Sequence, residues 1–213
     1  MIIDGLTIKK MFVSGCESMI NGKEELTNID STFGDGDHGV TMEKISKVMI
    51  KKLNNLENNM DLHDFFDDLG SEVMGVNGGS AGPLWGTFIS GMALGINEGV
   101  KEVKVEDVKN MFKYALEELC DITTARIGDK TMMDSLIPAV NSMQKANGTL
   151  EEVMKAAMDA AQEGAKASEN FISKFGRAKS YKEKTIGTQD AGAVSMKYFF
   201  KGLYEGLDRE SCK

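Results

Sequence analysis

Three aspartates and three glycines are crowded into one short stretch, NIDSTFGDGDHG, at residues 28–39. Asp30, Asp35 and Asp37 fall within eight residues, and the glycines between them leave the backbone free to bring the carboxylates together. Oxygen-only ligands suit a hard cation. Mg²⁺ is favoured because it commonly binds a few carboxylates and completes its shell with phosphate oxygens and water. The stretch therefore predicts a magnesium site, although a solvated Asp-Gly turn would have the same composition.

The glycines of this stretch also match G-x-G-x-x-G, the pattern that holds a dinucleotide's pyrophosphate in a Rossmann unit. That unit needs a buried strand before the pattern, and the preceding EELTNIDSTF does not read as one. Two anionic side chains beside a pyrophosphate would also repel it. A cation between carboxylate and phosphate removes the conflict, so the loop predicts a metal-bridged polyphosphate. An EF-hand is excluded because the twelfth residue counted from Asp35 is Ser46, not a glutamate.

Three more glycine-containing loops carry charges or hydroxyls, at residues 75–86, 126–134 and 176–192. In the first, GVNGGSAGPLWG, Ser80 and its neighbouring glycines precede Pro83, which we expect at the first position of a helix. Such a helix N-terminus is a natural phosphate site, and close helix packing is the alternative explanation. In the last loop Arg177 offers a bidentate donor to phosphate. His38 would contact phosphate or ribose, or cap its helix.

The elements that must position these loops are helices. Apolar residues recur at helical spacing nearly throughout the chain, and we find no period-two strand and no internal repeat. The pattern predicts about eight helices, including one near residues 7–20 and one near 83–97, and a capping box of Thr149 and Glu152 opens another. The fold class is therefore predicted as all-α, with residues 1–213 forming one domain.

Composition narrows the class of protein further. The formal net charge of −8 disfavours nonspecific binding to nucleic acid or to anionic membranes. No stretch approaches 18 uninterrupted apolar residues, and the N-terminus does not resemble a signal peptide. Cys16, Cys120 and Cys212 are scattered, which suits a reducing cytoplasm and argues against a thiolate metal site.

Taken together, four motifs resemble one family, the DhaL-type nucleotide-binding subunit or domain of dihydroxyacetone kinases. They run in family order from residue 30 to residue 195 and consist of Asp30 with GDGDHG (34–39), GGSAGPLWGTF (78–88), GDKTMMDSLIPA (128–139) and GRAKSY…IGTQDAGAVS (176–195). The resemblance implies an antiparallel barrel or bundle of eight helices with the nucleotide held by loops at one end.

The resemblance also implies roles for individual residues. Asp30, Asp35 and Asp37 would bind two Mg²⁺ ions that bridge the phosphates of ADP or ATP, and Arg177 would be the catalytic residue. The expected nucleotide-binding residues are His38, Gly39, Val40, Thr41, Ser80, Ala81, Thr123, Met132, Arg177, Asp190, Ala191 and Gly192.

A chain of this kind resembles the subunit that works in a phosphotransferase-system relay. ADP would stay bound as a cofactor, receive a phosphoryl group from a phosphohistidine donor of the DhaM type, and pass it to dihydroxyacetone. That substrate would be held on a partner subunit of the DhaK type.

Two departures from the family pattern keep alternatives open. The chain has Gly-Gly-Ser-Ala-Gly where the family usually has G-G-A-S-G, and Thr188–Gly192 reads T-Q-D-A-G where the family usually has H-x-D-P-G. One alternative is a subunit that uses exchangeable ATP, or one that acts on another small ketose such as erythrulose. Others are a nucleotide-loaded partner of a transcription regulator and a degenerate homologue that binds no metal.

Overall fold

The computed structural model describes residues 2–208, which are mostly helical. Two three-residue strands, β1 (Ile2–Asp4) and β2 (Glu102–Lys104), form an antiparallel pair in which Ile3 lies opposite Val103. The α-helices of this part of the chain are α1 (Gly5–Asn21), α2 (Lys23–Phe33), α3 (His38–Leu53), α4 (Leu62–Met74), α5 (Ala81–Gly91), α6 (Val105–Ile122), α7 (Met133–Lys145), α8 (Leu150–Ala167) and α9 (Ala191–Asp208). Short 3₁₀ helices span Ala93–Gly95, Ser168–Asn170 and Arg177–Thr185.

Side-chain caps fix where several helices begin. The Asp4 carboxylate accepts the N–H of Thr7 at 2.8 Å at the start of α1. The predicted capping box at the start of α8 is confirmed, because Thr149 and Glu152 exchange side-chain and backbone hydrogen bonds. Each cap satisfies N–H groups that have no partner within the helix, and is typically worth about 1 kcal/mol.

The core of the bundle is an aromatic cluster to which α1, α4, α5, α6 and α9 contribute. Phe12 lies with its ring centroid 5.2 Å from Phe66 and 5.8 Å from Phe199, while Phe88 packs edge-on against Phe112 at 6.0 Å. All five side chains are buried. Aromatic pairs in such tilted and edge-on arrangements contribute about 0.5–1.5 kcal/mol each beyond their burial. This cluster holds the helices in place, so that their ends can present loops.

Helices α1 and α9 pack closely, and glycines replace side chains at their contact. A Cβ atom on Gly202 would lie 2.6 Å from Gly15 Cα and would also strike the carbonyl oxygen of Ser14. A Cβ atom on Gly15 would lie 2.9 Å from the ring of Phe199. The two helices therefore meet almost backbone to backbone.

The prediction of an all-α fold is confirmed, with corrections of detail. Residues 2–208 form a bundle of helices around one hydrophobic core, and their two strands close no barrel. The helix beyond the predicted eight is α2, which buries only Leu26 and so lacks the apolar periodicity that marks the other helices. The two strands escaped prediction because three residues are too few to show an alternating pattern.

Two helix boundaries also differ from the prediction. The helix expected over residues 83–97 begins at Ala81 and ends at Gly91, so Pro83 is its third residue and not its first.

Of the three cysteines, Cys16 is buried, Cys120 is partly exposed, and Cys212 lies outside the described residues. Among the described helices, none is both long enough and apolar enough to cross a membrane.

The backbone contact between α1 and α9 leads to a stability prediction. We expect Gly202→Val to lower the free energy of unfolding by about 2 kcal/mol or more, because its side chain overlaps Ser14 and Gly15. Gly75→Ala is the control, since that glycine has an ordinary φ of −75° and its nearest neighbour to a Cβ is 3.5 Å away. Urea unfolding measures both variants, and an unchanged midpoint for Gly202→Val would contradict the packing described.

Candidate functional site

Four connections meet at one end of the bundle. They join α2 to α3, α4 to α5, α6 to α7, and α8 to α9, and successive antiparallel helices place every second connection at the same end. Contacts between loops confirm this placement. A Cβ on Gly78 would overlap Thr41 at the start of α3, and one on Gly192 would lie 3.1 Å from the backbone nitrogen of Met132.

The first connection brings the three aspartates together. Asp30 lies in the last turn of α2, Asp35 in the turn that follows, and Asp37 immediately before α3. One carboxylate oxygen from each side chain lies within 4.8 Å of the others. Gly36 permits this turn because its φ is +72° and because a Cβ there would strike the hydroxyl of Ser31. The predicted cluster of carboxylates is therefore present as a three-dimensional group.

The three carboxylates differ in their protein partners. Asp30 Oδ2 accepts the backbone N–H groups of Asp37, at 3.1 Å, and of His38, at 3.4 Å, so its side chain closes the turn. Asp35 forms an ion pair with the guanidinium of Arg177. Asp37 makes no side-chain capping bond to α3. These bonds leave further lone pairs on the three carboxylates, as a cation ligand requires.

His38 connects the aspartate turn to the start of α9. Its Nε2 lies 2.9 Å from the hydroxyl oxygen of Ser195, which in turn donates to the carbonyl of Ala191 at the same distance. The Ser195 hydroxyl also lies 3.1 Å from the carbonyl of Gly192, so this contact links the His38 ring to the first turn of α9. Burial lowers the pKa of His38, and the charges of Asp30 and Asp37 oppose this shift.

The α4–α5 connection supplies a second helix N-terminus. Ser80 precedes α5, is exposed, and makes no capping hydrogen bond, while Ala81 is the first residue of the helix. The uncapped N–H groups of α5 and the free hydroxyl give this position the character of an anion site. It lies beside the aspartate turn, because Gly78 packs directly against the buried Thr41.

A buried lysine joins the α6–α7 connection to the α8–α9 connection. Lys130 is 4% exposed, and its ammonium donates to the carbonyl of Ser168 at 2.7 Å and to that of Thr188. Burial lowers the pKa of Lys130, against the attraction of Asp190, Asp134 and Glu169. The two hydrogen bonds of this lysine thus hold the loop that leads into α9 in place.

Asp134 shapes the loop that carries this lysine. Its carboxylate accepts the N–H groups of Gly128 and Thr131, both at 2.6 Å, and its side chain is almost fully buried. Burial raises the pKa of Asp134, while the two backbone donors lower it. Charge-assisted bonds of this kind are stronger than neutral ones, so they hold the turn ahead of α7 in one shape.

Asp190 caps α9 from within the same network. Its Oδ2 accepts the N–H of Ala193 at 2.8 Å, and its own N–H donates to the hydroxyl of Ser168 at 2.9 Å. Burial raises the pKa of Asp190 to about 7, with Asp134 adding to the shift and Lys130 opposing it. This carboxyl therefore changes charge near neutral pH at the edge of the site.

The structure brings most of the predicted residues together, with some exceptions. Contacts join His38 and Thr41 to the aspartate turn, Met132 to Gly192, and Arg177 to Asp35. Gly39 packs against Lys23 and Thr27 of α2. Val40 instead faces an outer groove that it shares with Ile20 and Thr27. Thr123 ends α6, where its hydroxyl accepts the N–H of Ala125 at 3.2 Å, and it shares only the end of the bundle with the others.

Sequence reasoning missed three side chains that support the site, namely Lys130, Asp134 and Ser195. Lys130 and Asp134 lie in the motif GDKTMMD, and neither side chain was predicted to have a role. The available signal was that these two residues, of opposite charge, stand on either side of a short turn. Ser195 lies 157 residues from His38, its partner, and no sequence spacing could have paired them.

Comparison with known proteins gives this geometry a context. Residues 32–205 match the family model described as the DAK2 domain. The ADP-binding subunit DhaL of PEP-dependent dihydroxyacetone kinase 2 from Listeria innocua is 30% identical over 190 residues, which cover 88% of each chain. Dihydroxyacetone kinase 1 of Saccharomyces cerevisiae is 33% identical over 198 residues, covering 91% of this chain. The chain spans about a third of that relative's length, 33%.

A solved structure shares the fold. The dihydroxyacetone kinase of C. freundii, crystallised in complex with AMP-PNP and Mg²⁺, superposes with a TM-score of 0.68 at 25% sequence identity. The similarity covers 92% of this chain and 33% of that one.

The raised pKa of Asp190 predicts a pH-dependent stability. Between its ordinary value of 3.8 and the folded value of about 7, the folded protein holds a proton on this carboxyl that the unfolded chain has lost. The stability contributed by Asp190 is therefore expected to fall as pH rises from about 4 to about 7 and then to level off. Asp190→Asn removes this dependence, so the variant should gain stability relative to the wild type across that range.

Urea unfolding at several pH values measures the difference between the two proteins. Asp121→Asn, at an exposed position on α6, is the matched control and should follow the wild type. A difference between wild type and Asp190→Asn that is the same at pH 5 and pH 8 would contradict the burial of this carboxyl.

Proposed function

Because the chain belongs to the DAK2 domain family, we propose that it is the ADP- and magnesium-binding subunit of a dihydroxyacetone kinase. The observation that carries the proposal is the cluster of three carboxylates opposite Arg177, at the end of the bundle where α3, α5 and α9 begin. The similarity to the L. innocua ADP-binding subunit over 88% of both chains supports the comparison with a DhaL-type protein.

Asp30, Asp35 and Asp37 are the proposed ligands of two Mg²⁺ ions. They fit a hard cation because all three offer oxygen atoms within 4.8 Å and because Asp37 has no capping bond to compete for its lone pairs. Magnesium, when bound, would neutralise the charge between these carboxylates and the phosphates of a nucleotide. The C. freundii relative was crystallised with AMP-PNP and Mg²⁺, which supports the same pair of ligands here.

The nucleotide would lie across the helix N-termini beside this cluster. N–H groups at the start of α3, α5 and α9 favour negative charge, which suits the phosphates. The proposed contacts are His38, Gly39, Val40 and Thr41 from α3, Ser80 and Ala81 from α5, Thr123 and Met132 from the α6–α7 connection, and Asp190, Ala191 and Gly192 from α9. The contact of His38 Nε2 with the hydroxyl of Ser195 ties the start of α3 to the start of α9 beside these positions.

Arg177 is the proposed catalytic residue. Phosphoryl transfer needs in-line positioning and stabilisation of the charge on the transferred group more than it needs a covalent catalyst. The guanidinium of Arg177 faces the aspartate cluster and is exposed enough to reach a phosphoryl group there, with 69% of its side-chain surface open to solvent. Its positive charge would stabilise the negative charge that develops on the phosphoryl group during transfer.

The full relay extends beyond this chain. The proposed donor is a phosphohistidine subunit of the DhaM type, ADP bound here carries the phosphoryl group, and dihydroxyacetone is held on a DhaK-type subunit in the cytoplasm. The words PEP-dependent and ADP-binding subunit in the name of the L. innocua relative support this version. Use of exchangeable ATP on another small ketose is the alternative enzyme, and a nucleotide-loaded co-regulator of a transcription factor is the alternative from another class.

The first test removes one metal ligand. We expect Asp35→Ala to abolish magnesium-dependent binding of ADP, because the remaining carboxylates cannot complete the site, while the helical circular dichroism stays unchanged. Asp67→Ala, at an exposed position on α4, is the matched control and should bind as the wild type does. Isothermal titration with ADP in the presence of Mg²⁺ measures the difference. Full-strength binding by Asp35→Ala would refute the metal assignment.

The second test addresses Arg177. Arg177→Ala should slow phosphoryl transfer by roughly a hundredfold or more, with a much smaller change in the affinity for ADP, because its charge acts mainly on the transition state. Lys179→Ala, two residues away and also exposed, should retain the wild-type rate. A parallel loss of rate and affinity in Arg177→Ala would make this arginine a binding residue only. The measurement pairs transfer kinetics with ADP titration.

A further inference from the structure

Arg177 lies on a loop that is closed at its base. We call residues 174–184 the Arg177 loop. At its base the N–H of Ser173 donates to the hydroxyl oxygen of Thr185 at 3.0 Å, and that hydroxyl donates to the carbonyl of Lys182 at 2.7 Å. Ser173 and Thr185 are both buried, so the base is fixed. The tip of the loop, by contrast, consists mainly of exposed residues.

Two side-chain contacts hold the tip against the end of α2. One is the ion pair of Arg177 with Asp35. The other is the contact of Tyr181 with Phe33, whose ring centroids lie 5.1 Å apart at an interplanar angle of 55°. An ion pair as exposed as the first contributes little to holding a loop in water. The aromatic contact is therefore the stronger candidate for fixing the tip.

The backbone of the loop bends at two positions, one on each side of the segment that carries Arg177 and Tyr181. Gly176 precedes Arg177 with a φ of +60°, and Lys182 follows Tyr181 with a φ of +52° and a ψ of −129°. The latter conformation is rare for a residue with a Cβ atom and persists only where surrounding contacts impose it. Tyr181 is the residue immediately before this bend. The hydrogen bond from Thr185 to the carbonyl of Lys182 holds the far side of this bend, and the ring contact of Tyr181 with Phe33 holds the side nearer to Arg177.

Phe33 ties the loop to the turn that carries the metal ligands. It lies three residues after Asp30 and two before Asp35, at the end of α2. A cation at the aspartate cluster would compete with Arg177 for the oxygens of Asp35, which weakens the ion pair as a tether. The aromatic contact involves no charge and does not compete with a cation.

From these observations we propose that Tyr181, by packing on Phe33, positions Arg177 over the aspartate cluster. Tyr181 is a positioning residue and touches neither nucleotide nor metal in this role. The inference rests on the proposed function of Arg177. It further implies that the aromatic ring of Tyr181 positions Arg177 and that the hydroxyl group is not needed.

The test compares Tyr181→Ala with Tyr181→Phe, and Tyr114→Ala is the control because Tyr114 is an exposed tyrosine on α6. Limited trypsin digestion reports on the loop itself, since Lys179, Lys182 and Lys184 are exposed cleavage sites within it. It requires no nucleotide and no second subunit. The second measurement is phosphoryl transfer with a DhaK-type subunit and dihydroxyacetone, and the third is titration with ADP and Mg²⁺.

We expect Tyr181→Ala to be cleaved in the loop about three- to tenfold faster than the wild type, a range that matches the strength of one aromatic pair. Its kcat should fall by about tenfold or more because Arg177 is misplaced, while the Kd for ADP stays within about twofold. Tyr181→Phe and Tyr114→Ala should match the wild type in all three measurements. Unchanged melting temperatures would show that the bundle is intact.

Three results would overturn the inference without touching the proposed function. The first is an unchanged kcat in Tyr181→Ala despite faster cleavage, and the second is a loss of kcat in Tyr181→Phe equal to that in Tyr181→Ala. The third is an unchanged rate of cleavage in Tyr181→Ala. Failure of the wild type to bind ADP with Mg²⁺ would overturn the proposed function, and the positioning role would fall with it.

Discussion

Mutual repulsion of three carboxylates is the constraint around which this end of the molecule is built. Two unit charges at about 4 Å repel by about 1 kcal/mol even in bulk water, and more where protein displaces water. The side chains of Asp30, Asp35 and Asp37 nevertheless converge to within 4.8 Å. The protein offsets this repulsion in two ways. Backbone N–H groups solvate Asp30, and Arg177 neutralises Asp35.

The remaining structure keeps this arrangement in place while leaving the cluster accessible. An aromatic core and a backbone-to-backbone contact between α1 and α9 make the bundle rigid. At the end of the bundle that carries the loops, buried polar groups hold the structure together. Lys130 supports the carbonyls of Ser168 and Thr188, and Asp134 folds the loop that carries Lys130. The packed core and the buried polar groups therefore hold the loops of the site in position, as a site for positioning phosphates requires.

Much of the fold could be predicted from the sequence because most helices bury a broad apolar face. In α6, for example, Val108, Met111 and Phe112 recur at helical spacing and are all buried. Helix α2 could not be found in this way, since Leu26 alone is buried and the rest of its surface is exposed or partly exposed. The aspartate cluster was predictable because its members are neighbours in sequence and glycines separate them.

Contacts between distant loops could not be predicted, because no spacing rule links them. His38 and Ser195 lie 157 residues apart, and the pairing of Phe33 with Tyr181 likewise depends on the tertiary fold. The altered segment before α9 is a further example. Thr188, which replaces the family's usual histidine, donates its hydroxyl to the carbonyl of Thr185 at 2.9 Å, and Gln189 donates to Glu169 at the same distance. The sequence shows the substitution, and only the structure shows these partners.

Native mass spectrometry of the wild-type chain, with ADP added in the presence and in the absence of Mg²⁺, shows whether this chain binds a nucleotide through a metal. We expect the ADP-bound species to carry two magnesium ions, and we expect removal of divalent cations with a chelator to abolish the complex. ADP bound equally well without magnesium would contradict the assignment of Asp30, Asp35 and Asp37 as the cation site through which this chain holds a nucleotide.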